Sequence, residues 1–211
     1  MFDIGYGVFE PALSQTTRKL PVWKRAMDIV ICMVLLVPLV GVALVLLILN
    51  PFCNAGPLIY RADRMGAGLQ SFRMLKFRTM SAADHATRGA FEQVEAQRIT
   101  ALGRWLRRSR VDELPQIVNV LRGEMTLIGP RPDCYHHALV YVREIPGYAR
   151  RYAMLPGISG LAQTEVGYAQ TARQIRRKVA ADMLYLRRVG IAMDMWITVR
   201  TLSVVLRLRG G

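Results

Sequence analysis

Ten consecutive residues hold the densest chemistry in this chain: Arg107-Arg108-Ser109-Arg110-Val111-Asp112-Glu113-Leu114-Pro115-Gln116. An Asp-Glu pair by itself is usually a solvated stretch of helix. Here three arginines precede it within about two helical turns. Phosphate chemistry needs that mixture, a hard carboxylate for Mg²⁺ and guanidinium groups that take phosphate oxygens two at a time. Downstream, Gly129-Pro130-Arg131-Pro132 fixes an arginine in a stiff turn suited to holding a charged substrate. Upstream, Lys76-Phe77-Arg78-Thr79-Met80 alternates cations with apolar residues, which in a strand puts Lys76 and Arg78 on one face.

Other chemistries lack their signatures. The chain has no Gly-x-Gly-x-x-Gly and no Walker A loop. Cys134 and His136 are close, but no second pair stands at zinc spacing, and His136-His137 reads as a surface pair. No Ser-His-Asp set suggests itself. The three cysteines, Cys32, Cys53 and Cys134, are an odd count that argues against a disulfide framework. With 29 Lys+Arg against 15 Asp+Glu, the net charge of +14 calls for an anionic partner: nucleic acid, lipid head groups or a phosphorylated substrate. Composition cannot rank those three.

The elements that must position these residues divide unevenly along the 211 residues. Residues 1–22 read as a flexible lead, 23–50 as a membrane element and 51–211 as a membrane-associated catalytic domain. Hydrophobic residues make up 52% of the chain, and the excess lies in the uncharged run Ile29 to Leu49. About 21 residues suffice for one bilayer crossing. Pro38 near its centre removes a backbone hydrogen bond, Gly41 weakens the next turn, and each arm is then only about 15 Å long. Basic residues flank both ends, Arg18, Lys19, Lys24 and Arg25 before it and Arg61, Arg64, Arg73, Lys76 and Arg78 after it, where a spanning helix carries its excess on one side. A helix kinked at Pro38 and returning to its own face meets both observations; a spanning helix remains the rival. Trp23-Lys24-Arg25 reads as an interfacial collar, and Asn50 to Pro57 as the turn cluster ending the segment. Leu58–Tyr60 and Phe72–Phe77 read as strands around a Gly66/Gly68 turn, Ala82–Gln97 as loop with some helix, and Leu102–Val120 as helix interrupted near Pro115. Met154–Ala162 reads as a Gly/Pro-rich loop. After Gln170 a basic amphipathic helical pattern continues to the end, fit for a membrane interface, a core or a partner.

Taken in order, Lys24-Arg25-x-x-Asp28 before an apolar segment with a central proline, Lys76-Phe77-Arg78-Thr79-Met80, Asp112-Glu113-Leu114-Pro115-Gln116, Gly129-Pro130-Arg131-Pro132 and Pro156-Gly157-Ile158-Ser159-Gly160 resemble the bacterial sugar transferases that start glycoconjugate assembly, the monotopic polyprenyl-phosphate phosphoglycosyl transferases. The match runs from about Trp23 to Leu206. The resemblance implies transfer of a sugar 1-phosphate from a UDP-sugar to a polyprenyl (undecaprenyl) phosphate with release of UMP. It implies that Asp112 is the nucleophile of a covalent ping-pong reaction and that Glu113 assists as metal ligand or in handling a proton. Mg²⁺ would be held near Asp112 and Glu113. Lys76, Arg78, Arg107, Gln116 and Arg131 would contact substrate.

The implied fold is α/β and helix-dominated: a re-entrant membrane helix kinked at Pro38, amphipathic interfacial helices and a small strand element. The implied setting is the bacterial cytoplasmic membrane, catalytic domain on the cytoplasmic face, with anionic phospholipid and no nucleic acid as partner and with room for a homodimer. The chain resembles the minimal form of the family. Three positions depart from its pattern: Leu155 where arginine precedes the proline, with Arg150 or Arg151 nearby to replace it or substrate binding altered, Leu161 where tryptophan is frequent, and Val37 where serine precedes Pro38. A membrane-anchored binding protein without chemistry fits the charge and hydrophobicity equally well, but offers no reason for an acidic pair embedded among arginines.

Overall fold

The computed structural model describes residues 17–54, 56–81, 89, 96–167 and 171–206. Residues 1–16 and most of 82–95 lie outside them, and with them most of the expected flexible lead and of the partly helical Ala82–Gln97 segment; of these, Arg18 bonds Ala153 O and Leu186 O, Val22 begins the first helix, and Ala96–Arg98 form a 3₁₀ turn. The order is α1 (Val22–Cys53), β1 (Ile59–Met65), β2 (Ser71–Phe77), α2 (Ala101–Arg108), α3 (Gln116–Leu121), β3 (Thr126–Ile128), α4 (Tyr135–Glu144), β4 (Gly157–Ser159), α5 (Leu161–Glu165), α6 (Ala172–Arg187) and α7 (Ile191–Leu206). Helix dominates, as the family resemblance implies.

α1 extends beyond the expected turn at Asn50 and is helical across both Pro38 and Pro51. The reason lies at its end: the Asn54 amide donates to Asn50 O, and the Asn50 side chain donates to Gly56 O at 2.8 Å. Its buried residues Lys24, Asp28, Cys32, Leu46 and Asn50 recur at helical spacing, and Leu35, Leu36, Leu39, Val42 and Ala43 fill the stripe between them. This stripe packs along the rest of the protein, against Ala62, Met74, Ile117, Val120 and Met125 in its first half and Phe77 and Leu106 in its second. The other face, with Val30, Val34, Val37, Val40, Leu44, Leu47, Ile48 and Phe52, is exposed.

Lys24, read above as part of an interfacial collar, is fully buried and paired with Asp194 of α7 at 2.5 Å. A buried ammonium is tolerated only with such a partner. Arg25 instead caps α3, donating to Val120 O and Leu121 O. Asp28 accepts from Thr126 Oγ1 and the Leu127 amide, tying α1 to β3.

β1 and β2 form an antiparallel hairpin in which Tyr60 faces Lys76 and Ala62 faces Met74. β1 is longer than the three residues expected, because Arg61–Met65 pair on to Ser71. The Met154–Ala162 loop contains a strand: β4 pairs in parallel with β3, Thr126 opposite Gly157 and Ile128 opposite Ser159. The C-terminal helical pattern is two helices rather than one, separated at Arg188–Gly190.

Candidate active site

The helix expected over Leu102–Val120 breaks before the acidic pair, not at Pro115 alone. α2 stops at Arg108, Arg110 takes a left-handed conformation (φ 59°), and a 3₁₀ turn carries Val111, Asp112 and Glu113. Such a backbone in a residue with a Cβ costs about 1–2 kcal/mol. It turns the chain so that Asp112 and Glu113, 5% and 7% exposed, point inward instead of lying on a solvated helix face.

Glu113 is the hub of the cations. Arg131 grips both of its oxygens, with Nη1 3.1 Å from Oε2 and Nη2 against Oε1. Lys76 Nζ lies 3.1 Å and Arg110 Nη1 3.4 Å from Oε1. Burial opposes ionisation of Glu113, but Arg131, then Lys76 and Arg110, overcome it and hold the carboxyl well below its ordinary range. Asp112 is differently placed. Its Oδ2 is 3.9 Å from Lys76, and its buried Oδ1 has no partner among the described residues. Burial, and next the Glu113 charge, push the Asp112 carboxyl up against the pull of Lys76. Burial likewise lowers the affinity of Lys76 for its proton, with Glu113 opposing. Two adjacent carboxyls are thus driven apart, one clamped and ionised, the other free at one oxygen.

Arg131 owes its position to two motifs that pack backbone on backbone. Gly129 N donates to Ser159 O at 2.8 Å and Gly157 N to Pro130 O at 2.9 Å. A Cβ on Gly157 would lie 2.1 Å from Gly129 N, and one on Gly160 would lie 2.2 Å from Gly129 O. Only glycine permits that approach, which joins the Gly-Pro-Arg-Pro and Pro-Gly-x-x-Gly motifs into one platform. From it Arg131 Nη1 also donates to Ile158 O at 2.9 Å. Beneath lies fully buried Arg151, whose Nη2 donates to Arg131 O at 2.7 Å while Nε donates to Asp182 at 2.8 Å and Nη1 to Asp133. Asp133 also takes Lys178 Nζ and the Tyr148 hydroxyl. Burial resists ionisation there too, yet Lys178 and then Arg151 hold Asp133 well below the carboxylate range.

The structure therefore brings Lys76, Arg131, Asp112 and Glu113 together. Arg107 stands close by, its Nε donating to Thr79 Oγ1 at 3.0 Å and its charge felt by Asp112. Arg78 shares the Lys76 face at the edge of the hairpin. Gln116 is fully buried, with both amide atoms lacking a partner among the described residues. Arg151, expected with Arg150 as a stand-in for the arginine missing at Leu155, is instead a buried brace, a role the sequence does not announce. Its one legible sign was an acid on an apolar helix stripe: Asp182 shares a face with Ile175, Val179 and Tyr185, all buried.

Of the described residues, none form a metal-sized group of three or more His, Cys, Asp or Glu. The donor set fits a Mg²⁺ that draws one or two carboxylates from protein and the rest from substrate phosphates and water. Asp112 Oδ1 is free for it, whereas Glu113 reaches a metal only by giving up a cation.

Residues 19–208 match the family model described as bacterial sugar transferase. The chain belongs to that family. Among its relatives, the UDP-N-acetylgalactosamine-undecaprenyl-phosphate N-acetylgalactosaminephosphotransferase of Aeromonas hydrophila is 39% identical over 186 residues, 87% of this chain and 43% of that protein. The UDP-glucose:undecaprenyl-phosphate glucose-1-phosphate transferase of Caulobacter vibrioides is 37% identical over 87% of this chain and 69% of its own length. An exopolysaccharide production protein of Rhizobium leguminosarum bv. phaseoli is 35% identical over 83% of this chain and 91% of its own. The chain thus spans less than half of the Aeromonas protein and more than two thirds of the Caulobacter one.

Proposed function

We propose that this sugar transferase moves a sugar 1-phosphate from a UDP-sugar to polyprenyl (undecaprenyl) phosphate, releasing UMP, as a first membrane step of glycoconjugate or exopolysaccharide synthesis. The observation that carries the reading is the asymmetric acidic pair: a buried aspartate with one unpartnered oxygen beside a glutamate held by three cations. The Asp112 carboxylate attacks the sugar-linked phosphorus, the bond from that phosphorus to the oxygen shared with UMP breaks, and UMP leaves. An oxygen of the acceptor phosphate then attacks the same phosphorus, the acyl-phosphate bond breaks, and the carboxylate is restored.

Glu113 keeps Arg131, Lys76 and Arg110 gathered where charge accumulates on the diphosphate, and Arg107 adds a fourth guanidinium or ammonium nearby. Pre-placed cations of this kind act without reorganising as charge develops. Asp112 Oδ1, with Glu113 beside it, would hold Mg²⁺, which supplies Lewis-acid neutralisation of the diphosphate. Gln116 acts from behind the site, where its amide is sealed from substrate unless α3 moves.

The setting we propose is the cytoplasmic membrane, with the catalytic domain on the cytoplasmic face and α1 re-entrant about Pro38. Support comes from both ends of α1 bonding to the same domain: Lys24 to Asp194 and Arg25 to α3 at one end, Asn54 Nδ2 to Arg78 O at the other. A helix crossing a hydrocarbon core of about 30 Å would separate those ends by the bilayer. On α7, exposed Ile191, Met195, Val199 and Leu202 recur at helical spacing with Trp196 and Arg200 alongside, as an interfacial helix among anionic phospholipids requires. Cysteines at positions 20 and 58 should both be labelled from the cytoplasmic side; labelling from opposite sides would refute the re-entrant topology.

The activity is tested in detergent or nanodiscs with Mg²⁺, polyprenyl phosphate and a panel of UDP-sugars. UMP should appear with at least one donor, Asp112→Asn should abolish it, and donor alone should leave a sugar-phosphate adduct visible by intact mass. An accessible acceptor and no UMP from any donor would defeat the reading.

A further inference from the structure

Arg78 has been placed only at the edge of the site, yet its surroundings are organised. A groove of about 470 Å³ is lined by Pro57, Ile59, Tyr60, Arg61 and Arg78. Arg78 Nε donates to Pro57 O at 2.8 Å, and the guanidinium carbon lies 5.9 Å from the centre of the Tyr60 ring. A Cβ at Gly56, where φ is +111°, would come within 3.3 Å of that carbon, so glycine leaves the guanidinium its room. The two terminal nitrogens of Arg78 have no hydrogen-bond partner among the described residues. An arginine held by Nε and an aromatic platform, with its outer fork unused, suits a phosphate bound at two oxygens.

The groove adjoins β2, which carries Lys76, and the turn that ends the apolar helix. Tyr60 stands directly opposite Lys76 in the hairpin, so their side chains share a face, and Arg78 is two residues further along it. Lys76 in turn reaches Glu113 at 3.1 Å and Asp112 at 3.9 Å. On the other side Asn54, which caps α1, donates to Arg78 O at 3.2 Å, Asn50 donates to Gly56 O, and Phe52 at the end of α1 is 85% exposed.

From this placement we propose that the Tyr60–Arg78 groove seats the phosphate monoester head of the isoprenoid acceptor, delivered along the C-terminal end of α1. The assignment rests on the phosphoglycosyl-transfer reading and divides its two substrates. A UDP-sugar arrives from solution and is free of any depth requirement. An isoprenoid phosphate keeps its chain in hydrocarbon, since each exposed CH₂ costs about 0.8 kcal/mol, so its phosphate must be received beside an apolar surface. Arg78 is bonded through its own backbone oxygen to Asn54, the residue that caps α1, while Lys76, Arg110 and Arg131 are taken up by Glu113. The phosphate of bulk phospholipid shares this chemistry but is a diester with one charge, so the two sources can be separated.

The test uses the full chain in nanodiscs and reads two quantities. One is binding of farnesyl phosphate, a short isoprenoid phosphate monoester, to wild type, Arg78→Gln, Arg78→Lys and Tyr60→Phe. The other is the pair of KM values for polyprenyl phosphate and UDP-sugar in UMP release. Arg78→Gln should weaken farnesyl phosphate about tenfold and raise the acceptor KM by a similar factor, with the donor KM changing less than twofold. Arg78→Lys, which keeps charge but loses the fork, should fall between, and Tyr60→Phe, which keeps the platform, should stay near wild type. Equal rises in both KM values, or a rise for the donor alone, would give the groove to the nucleotide and overturn the assignment. Unchanged farnesyl phosphate binding would overturn it as well. A binding defect present with phosphatidylglycerol and absent in pure phosphatidylcholine would show that Arg78 holds bulk lipid, again against it. Failure of the underlying reading looks different: wild type would release no UMP from any donor, while the farnesyl phosphate comparison would still decide what Arg78 binds.

Discussion

The clamp on Glu113 makes a quantitative prediction through the pair Arg131→Met and Glu113→Gln. Removing Arg131 deletes both contacts to Glu113 and the bond to Ile158 O, leaving a carboxylate whose side chain is 9% exposed with Lys76 and Arg110 only. Breaking a buried ion pair from one side costs about 3–5 kcal/mol, and the two remaining cations put this case near the lower end, about 3 kcal/mol. Glu113→Gln leaves Arg131, Lys76 and Arg110 facing one another, but these side chains retain 21%, 18% and 31% exposure. Solvent then limits the loss to about 2 kcal/mol. The two changes destroy largely the same interaction, so the double variant should lose about 3 kcal/mol rather than 5, a coupling of about 2 kcal/mol. At about 3 °C per kcal/mol for a chain of this size, the melting temperature should fall about 9 °C, 6 °C and 9 °C respectively. Intrinsic-fluorescence melting in one detergent measures all four proteins. A double variant whose fall matches the sum of the singles, about 15 °C, would refute the claim that Arg131 and Glu113 act as one unit.

The acidic pair also predicts a trade between stability and activity. Because burial raises the Asp112 carboxyl, its contribution to stability is complete below the unfolded value and is lost as pH rises through the folded one. Asp112→Asn should therefore melt higher than wild type at pH 7.5, with the gap closing as pH falls towards about 4; a less stable variant at pH 7.5 would contradict this. Glu113, held low, should stay ionised over that whole range, so the acid limb of UMP release should follow Asp112. At the glycine platform, Gly157→Ala drives a Cβ to within 2.1 Å of Gly129 N and should cost about 3 kcal/mol or more and most of the activity. Gly147→Ala, with φ +79° but nothing within 4 Å, should cost only about 1 kcal/mol and serve as control.

Much of this site was legible in residue order. Asp112-Glu113 among arginines, the stiff turn at Arg131 and the alternation around Lys76 each imply phosphate chemistry before any fold is known, and all meet in one place. The apolar run from Ile29 was equally plain, because a long uncharged stretch has few other uses. What could not be read were the pairings between distant segments. Lys24 looked like one more flanking cation until Asp194, 170 positions away, was found against it. Arg151 looked like a stand-in for the arginine missing at Leu155 until its three nitrogens proved to be spent on Asp182, Asp133 and Arg131 O.

Sequence by itself determined the family, through five motifs in order, and the existence of one long apolar helix, since these depend on local residue types and spacing. Tertiary structure decided the division of labour. Which carboxyl is clamped and which is free depends on burial and on cations arriving from β2, the Arg131 turn and the left-handed Arg110, and no local pattern encodes that convergence. It also decided which face of α1 meets protein and which is left exposed. Every residue of the run from Ile29 to Leu49 is uncharged, so only the packing of Cys32, Leu39 and Leu46 against the domain distinguishes one side from the other.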